Sequence, residues 1–260
     1  MVNFEKQFLD ELNLVRNNLD LLDQYKFDTH ADDSKHFDRL RLNIAIYNDF
    51  RASDFEIAKF LFQQEMAWRK CDTYYQGDEN IDNLYFSAFV LTKFEKPEIV
   101  IDFCKTKNID MDSGSGFDSL YFLAAGMEKT YQFLESVDTR YKEDIFFDVG
   151  DSIENCYFDQ EELDEWKVYK TKYFEKYQFP IQDLMWFLYQ TNQKVLFSEQ
   201  FKIWINSQTV WNEDNSQEYL TFARYLNDQN HLMNALKFMI QYSQHDFLVE
   251  IYQKELNELI

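Results

Sequence analysis

Glycine and proline are scarce in this chain, and their scarcity narrows the fold class. The 260 residues include five glycines and two prolines, under 3% of the chain against roughly 12% in average proteins. Tight β-hairpins and linker-rich or collagen-like segments depend on these two residues. We therefore expect neither a turn-dense all-β fold nor a chain divided by flexible linkers.

Long apolar runs and paired cysteines are also missing. The longest apolar stretch, Leu120–Met127, is eight residues long, short of the roughly 18 that cross a bilayer. The first residues carry neither the basic region nor the apolar core of a signal peptide. Cys71, Cys104 and Cys156 lie more than 30 residues apart, which fits neither a disulfide framework nor a zinc motif. The sequence predicts a protein of the reducing cytoplasm.

The motifs of common enzyme classes do not occur. No histidine lies in a His-Glu-x-x-His pattern, and no Gly-x-Ser-x-Gly, phosphate-binding loop or dinucleotide fingerprint is present. The pair Asp32 and Asp33 lacks the third aspartate of the terpenoid-synthase motif, because His36 occupies its place. Cys104 has apolar neighbours, which favours a core position, whereas His30 and His36 are expected on the solvated surface. We predict no catalytic residue, no metal and no cofactor.

Positive charge is in short supply as well. The chain has 26 Lys and Arg against 47 Asp and Glu, a net charge of −21. Nucleic acids and anionic membranes bind basic surfaces, so both are excluded as expected ligands. The acidity serves either solubility or the attraction of a cationic protein partner.

The apolar residues that are present recur with a helical period. The first stripe has spacings of three and four residues, as on one face of an α-helix; its members are Phe4, Phe8, Leu12, Val15, Leu19 and Leu22. A second stripe extends from Phe37 to Phe50, and Pro97 suits the first turn of another helix. Ser53 and Glu56 have the spacing of a capping box. Later helices are predicted near 140–149, 159–177, 181–191, 196–207, 216–228, 231–242 and 245–258.

About a dozen helices with short polar connections predict an all-α fold of stacked antiparallel pairs. Both an irregular α-solenoid and a globular bundle fit this pattern. No Pro/Gly/Ser-rich linker divides the chain, so residues 1–260 are predicted to form a single domain. A weak boundary is possible near 136–160.

The most irregular stretch is a predicted loop of acids and glycines. Its residues of interest are Asp110, Asp112, Gly114, Gly116 and Asp118. The first two fit positions 1 and 3 of a calcium-binding loop, but the required glycine and the bidentate glutamate are missing. We therefore expect a corner between helices, in which the glycines adopt positive φ and Asp118 or Ser119 caps the next helix.

Residues 138–166, hereafter the acidic segment, combine the densest negative charge with aromatic side chains. Eleven acids and two basic residues lie between Asp138 and Glu165. Phe146, Phe147 and Trp166 are among the interleaved aromatics. Acids around aromatics are typical of an interface that attracts by charge and anchors by buried rings. The alternative is two solvated helix faces with the rings turned inward. The predicted partner-binding residues are Asp144, Asp148, Asp151, Glu154, Tyr157, Phe158, Glu161, Glu162 and Glu165.

A stretch of about 30 residues resembles helical immunity proteins of bacterial polymorphic toxin systems. The resemblance lies in Lys105–Asp118, in Leu123-Ala-Ala-Gly126 and in Thr130-Tyr-Gln-Phe-Leu134, together with the general acidity. It implies a small cytoplasmic bacterial protein that binds and blocks a cognate toxin, often a basic nuclease or another enzyme.

Three function classes remain open. The leading hypothesis is a non-enzymatic protein that neutralises a basic protein partner, a toxin domain, by covering its basic cleft. An α-solenoid scaffold would instead bind peptides through an exposed apolar stripe, with weak dependence on salt. A helical enzyme would need carboxylates that converge in a pocket. The sequence does not determine the oligomeric state.

Overall fold

The fold is helical throughout the residues that the structure describes. This computed structural model describes residues 4–28, 35–71, 81–174, 185–186, 188–189 and 194–259. These ranges contain α-helices and 3₁₀ turns but no β-strand, which confirms the predicted all-α class. Within them, no helix is both long enough and apolar enough to cross a membrane. Of the predicted helix near 181–191, only the four residues in these ranges are described, and all four are helical.

Thirteen α-helices lie in the described ranges, joined in places by 3₁₀ turns. The helices are α1 (Phe4–Asn17), α2 (Lys35–Asn48), α3 (Phe55–Arg69), α4 (Ile81–Thr92), α5 (Val100–Lys107), α6 (Met111–Gly116), α7 (Met127–Ser136), α8 (Lys142–Val149), α9 (Gln160–Phe174), α10 (Lys194–Ser207), α11 (Glu213–Leu226), α12 (Gln229–Tyr242) and α13 (Asp246–Leu259). The 3₁₀ turns are Leu19–Tyr25, Ala52–Asp54, Pro97–Ile99 and Ser119–Leu123. Pro97 begins a helical turn, as predicted.

The chain groups into two compact units. The first comprises Asn3–Lys176, and the second comprises Tyr177–Ile260 together with Met1–Val2. The possible weak boundary near 136–160 lies inside the first unit. A single folding domain stays a prediction, because compact units of one chain need not fold independently.

Ion pairs join the first three helices of the first unit. Arg16, in the last turn of α1, binds Asp49 and Asp54 from its two Nη atoms, at 2.6 Å each. Arg39 of α2 pairs with Glu65 of α3, and both side chains are excluded from solvent. Because the second pair is buried, each charge depends on the other to offset its lost hydration.

The helices α1 and α2 run in the same direction, unlike the antiparallel pairs elsewhere. Glu11 binds Arg41, and Arg16, later in α1, binds Asp49, which follows the end of α2. Later residues of α1 thus contact later residues of the α2 region, as in a parallel pair. The chain returns between them through the 3₁₀ turn Leu19–Tyr25, which packs on both. This turn supplies the connection that a parallel pair requires.

An aromatic core surrounds the turn Ser119–Leu123. Phe103 of α5, Phe117 and Tyr121 are buried, and their ring centroids lie 4.3–5.6 Å apart. Trp166 of α9 packs edge-on against Tyr121, with centroids 4.8 Å apart. Ring pairs of this geometry contribute about 0.5–1.5 kcal/mol each beyond their area burial. The cluster is the surface on which α9 packs.

The carboxylate of Asp118 fixes α9 to this core. It accepts hydrogen bonds from Trp166 Nε1 at 3.0 Å and from Lys170 Nζ at 2.6 Å. The Lys170 ammonium also lies 5.4–5.9 Å from the ring centroids of three tyrosines, where the ring faces attract a cation. Asp118 occupies the N-cap position of the following turn, but its side chain makes no capping bond. The predicted cap is wrong because the carboxylate binds α9 instead.

The helices α11, α12 and α13 of the second unit run antiparallel to their neighbours. Glu213 at the start of α11 accepts a hydrogen bond from Ser243, which follows α12. Gln229 at the start of α12 donates to the carbonyl of Leu259 at the end of α13. Phe222 is fully buried in this unit. These contacts match the antiparallel stacking predicted for the whole fold, from which the parallel pair of α1 and α2 departs.

Two local predictions are wrong because tertiary contacts override them. The chain enters α3 through the turn Ala52–Asp54, and no side chain caps the helix, so the capping box of Ser53 and Glu56 is absent. Asp54, the last residue of that turn, pairs with Arg16 through its carboxylate. His36 is buried against Trp68, with ring centroids 4.4 Å apart, rather than solvated.

We expect Asp118→Ala to destabilise the protein by about 1–3 kcal/mol. The substitution leaves the Trp166 N–H and the mostly buried Lys170 ammonium without their shared acceptor. Asp112→Ala, which removes an exposed partner of Arg69, is the control and should cost under about 1 kcal/mol. Urea unfolding measures both values. Equal losses of unfolding free energy in the two variants would contradict the role assigned to Asp118.

Candidate functional site

Two helices and the loop between them position the acidic segment. Ile145 and Val149 of α8 and Leu163 and Trp166 of α9 are buried. Their spacing of three to four residues places one face of each helix inward. Since the acids occupy the remaining positions, they lie on the outward faces.

Most of the predicted partner-binding residues are exposed. Those with exposed side chains are Asp144, Asp151, Glu154, Tyr157, Glu161, Glu162 and Glu165. Phe158 is half-buried. Asp148 is also half-buried, because its carboxylate accepts a hydrogen bond from Ser119 Oγ at 3.0 Å and lies 3.8 Å from Lys107 Nζ. Asp148 thus supports the fold.

The aromatic side chains of the segment divide between core and surface. Trp166 is buried and Phe146 stacks on Tyr131 with centroids 6.4 Å apart. Phe147 and Tyr157, by contrast, are 82% and 64% exposed. Some rings of the segment therefore turn inward and others remain in solvent among the acids, and the interface stays a prediction.

Further apolar side chains in the same region are exposed but were not predicted as site residues. Ile153, in the loop, is 46% exposed, and Val168 and Tyr169 of α9 are also exposed. Ile153 was missed because helical periodicity does not apply in a loop. Val168 and Tyr169 were missed because they follow the end of the acidic segment. Their proximity in sequence to the acids was the one signal that could have identified them.

A capping box begins α9 and involves one predicted partner-binding residue. Asp159 Oδ1 accepts from the amide of Glu162, and Glu162 Oε2 accepts from the amide of Asp159, both at 2.9 Å. Negative charge at a helix N-terminus is also favoured by the helix dipole. Glu162 therefore has a structural role even though it is exposed.

The loop Gly150–Tyr157 is fixed at its base. The amide of Tyr157 donates to the carbonyl of Val149 at 3.1 Å. The buried Tyr131 hydroxyl donates to the carbonyls of Val149 and Gly150, at 3.0 and 3.2 Å. Within the loop, Asn155 Nδ2 donates to Asp151 Oδ1 at 2.9 Å. These bonds hold the loop in one conformation.

The predicted acid-and-glycine loop contains the short helix α6. Asp110 caps this helix by accepting from the amide of Ser113 at 2.8 Å. Gly114 and Gly116 lie within α6 and do not adopt the positive φ expected of them. A Cβ on Gly116 would overlap the hydroxyl of Tyr85, so close packing, rather than a turn, requires this glycine.

Arg69 binds the two carboxylates that resemble calcium ligands. It donates to Asp110 at 2.7 Å and to Asp112 at 3.2 Å. Burial raises the pKa of Asp110, but hydrogen bonds from Arg69 and Ser113 outweigh burial and bring the pKa below its ordinary value. Across the described ranges, no three or more Asp, Glu, His or Cys residues are arranged to hold a metal.

Cys104 is buried, as predicted for a core residue. Burial, together with the nearby charges of Asp144 and Asp148, raises the pKa of its thiol to about 11. A thiol with this pKa is protonated at neutral pH and is a poor nucleophile. The geometry therefore gives Cys104 a packing role.

No protein-family model, curated protein or solved structure matches this chain. The resemblance of residues 105–134 to immunity proteins stays a prediction. The function is therefore argued from the geometry of the acidic segment.

We expect Gly150→Ala to destabilise the protein more than Gly126→Ala. Both glycines have positive φ, 94° and 106°, where another residue is strained by about 1–3 kcal/mol. A Cβ on Gly150 would also overlap the carbonyl of Asn155, whereas the space around Gly126 is open. Urea unfolding of the two variants measures the difference. Equal losses would show that the loop base is not tightly closed.

Proposed function

We propose that this chain is a non-enzymatic binding protein that neutralises a basic protein partner. The observation that carries the proposal is the exposure of Phe147, Ile153 and Tyr157 among the exposed acids of the acidic segment. Three large apolar side chains exposed within eleven residues of one acidic segment favour an interaction site over a surface that serves solubility alone.

Charge and apolar surface have different roles in this proposal. The acids attract a cationic protein over a distance of about a Debye length and so raise the association rate. Exposed rings, once buried in the partner, slow dissociation because they supply most of the binding energy. A surface that combines both features favours fast and tight binding.

The mechanism we propose is occlusion of a basic cleft. The acidic segment covers the cleft, and the aromatic side chains fill its apolar floor, so that the natural ligand of the cleft is excluded. A partner with such a cleft fits the toxin domain implied by the resemblance to immunity proteins. In that setting the protein acts in the bacterial cytoplasm.

The first experiment is co-expression with the product of the adjacent upstream gene. We expect that this product inhibits growth when expressed alone and that the present chain restores growth. A toxic neighbour that is not rescued, or a neighbour that is harmless, would contradict the immunity hypothesis. A partner whose binding changes little with salt would favour the peptide-binding scaffold instead.

Neutralising exposed acids should slow association with that partner. The triple variant Asp144→Asn, Glu154→Gln and Glu161→Gln, at exposed positions, is expected to reduce the association rate about tenfold at low salt, and less at high salt, because steering is lost. It leaves Asp148 and Asp151 intact, since Asp148 supports the fold and Asp151 binds Asn155 within the loop.

The matched control removes the same charge from exposed residues of the second unit, with Asp214→Asn, Glu250→Gln and Glu258→Gln. Stopped-flow or surface-based kinetics of both triples measure the association rates. Equal rates for the two would contradict a specific role for the acidic segment.

A further inference from the structure

The loop Gly150–Tyr157 places its apolar side chains outward from a closed base. Val149, just before the loop, is fully buried, whereas Ile153 is 46% and Tyr157 is 64% exposed. Asp151 and Glu154 are exposed in the same loop. A stretch of eight residues therefore presents two apolar side chains and two carboxylates to solvent.

The loop base restricts the backbone before any partner binds. The hydroxyl of Tyr131 and the backbone amide of Tyr157 both donate to the carbonyl of Val149. The carbonyl of Asn155 lies where a Cβ on Gly150 would stand. Ordering a mobile loop on binding costs free energy, and a preformed loop avoids that cost. The exposed side chains of this loop are accordingly ready to bind without rearrangement.

We infer that this loop inserts into a basic-rimmed apolar cleft of the partner, with Ile153 and Tyr157 buried in the cleft and Asp151 and Glu154 against its rim. The inference rests on the proposed function and specifies how the partner is held. A loop that presents exposed apolar side chains complements a concave apolar site. The carboxylates that flank the apolar side chains require lysine or arginine at the edge of that site.

Tyr157 suits the centre of such an interface. Tyrosine combines a large apolar ring with a hydroxyl that hydrogen-bonds at the wet margin, and it is enriched among residues that dominate binding energy. Ile153 lies two residues after Asp151, whose carboxylate is held by Asn155 Nδ2, and adds a second apolar contact. The arrangement favours a partner pocket large enough for one ring and one branched aliphatic side chain.

Photo-crosslinking in the native host tests the inference. The photoreactive residue p-benzoyl-L-phenylalanine is placed separately at positions 153 and 157 in the loop, at 168 on α9 and at 210 in the second unit, all exposed positions. We expect a discrete adduct from 153 and 157, with one basic protein, that maps to its concave site. Position 210 should give no such adduct.

The other outcomes overturn the loop inference alone or both the loop inference and the proposed function. An adduct from position 168 but none from 153 and 157 would overturn the loop inference and leave the proposed function standing. No adduct from any position in the acidic segment or α9 would overturn both. An adduct from the loop with an acidic protein, or with a convex surface of a basic one, would also overturn the inference.

A matched pair of variants then measures the contribution of the loop with the purified partner. Ile153→Ser is expected to weaken binding at least about tenfold, mainly through faster dissociation. The control is Ile203→Ser, at a residue of similar exposure in the second unit, and it should leave the affinity unchanged. Equal affinities would overturn the inference, and equal unfolding midpoints for the two variants exclude misfolding as the cause.

Discussion

The docking of α9 onto the aromatic core depends on the carboxylate of Asp118. This group binds the indole of Trp166 and the ammonium of Lys170 at once, so it joins the turn Ser119–Leu123 to two successive turns of α9. With that face of α9 turned inward, Glu161 and Glu165 on the opposite face must point to solvent. The exposed charge of α9 is thus a consequence of an inward contact.

The distribution of the few cations reinforces this pattern. Lys107 donates to the carbonyls of Gly114 and Phe117, and Lys170 is turned toward Asp118. Both ammonium groups serve the interior of the first unit rather than balance the outward acids. These two ammonium groups therefore leave the negative field of the outward acids in place, and the mutual repulsion of those acids opposes the compact state.

Much of the fold could be predicted from the sequence, because apolar spacing determines which helix faces are buried. The periodicity predicted the α9 helix within a few residues, and the isolation of Cys104 among apolar residues predicted its burial. The failures share a cause: Asp54, Asp118 and His36 each form contacts with residues distant in the chain. Local patterns such as a capping box hold no information on those contacts.

The candidate site was predictable in its charge but not in its shape. The density of acids located the segment, yet the division of its aromatics between core and solvent depends on tertiary packing. Ile153 carries no charge and no ring, and the role proposed for it follows only from the loop conformation that Tyr131 and Gly150 impose.

The acidic segment is proposed to bind a basic protein through a surface that is already formed. The decisive measurement is amide hydrogen exchange of the protein, alone and saturated with the partner identified by co-expression. We expect the amides of Gly150 and Tyr157 to be protected already in the free protein, because they donate to Phe146 and Val149, and we expect binding to slow exchange further in 144–170. Slowed exchange confined to 194–259, or fast exchange of the Gly150 and Tyr157 amides in the free protein, would contradict the proposal.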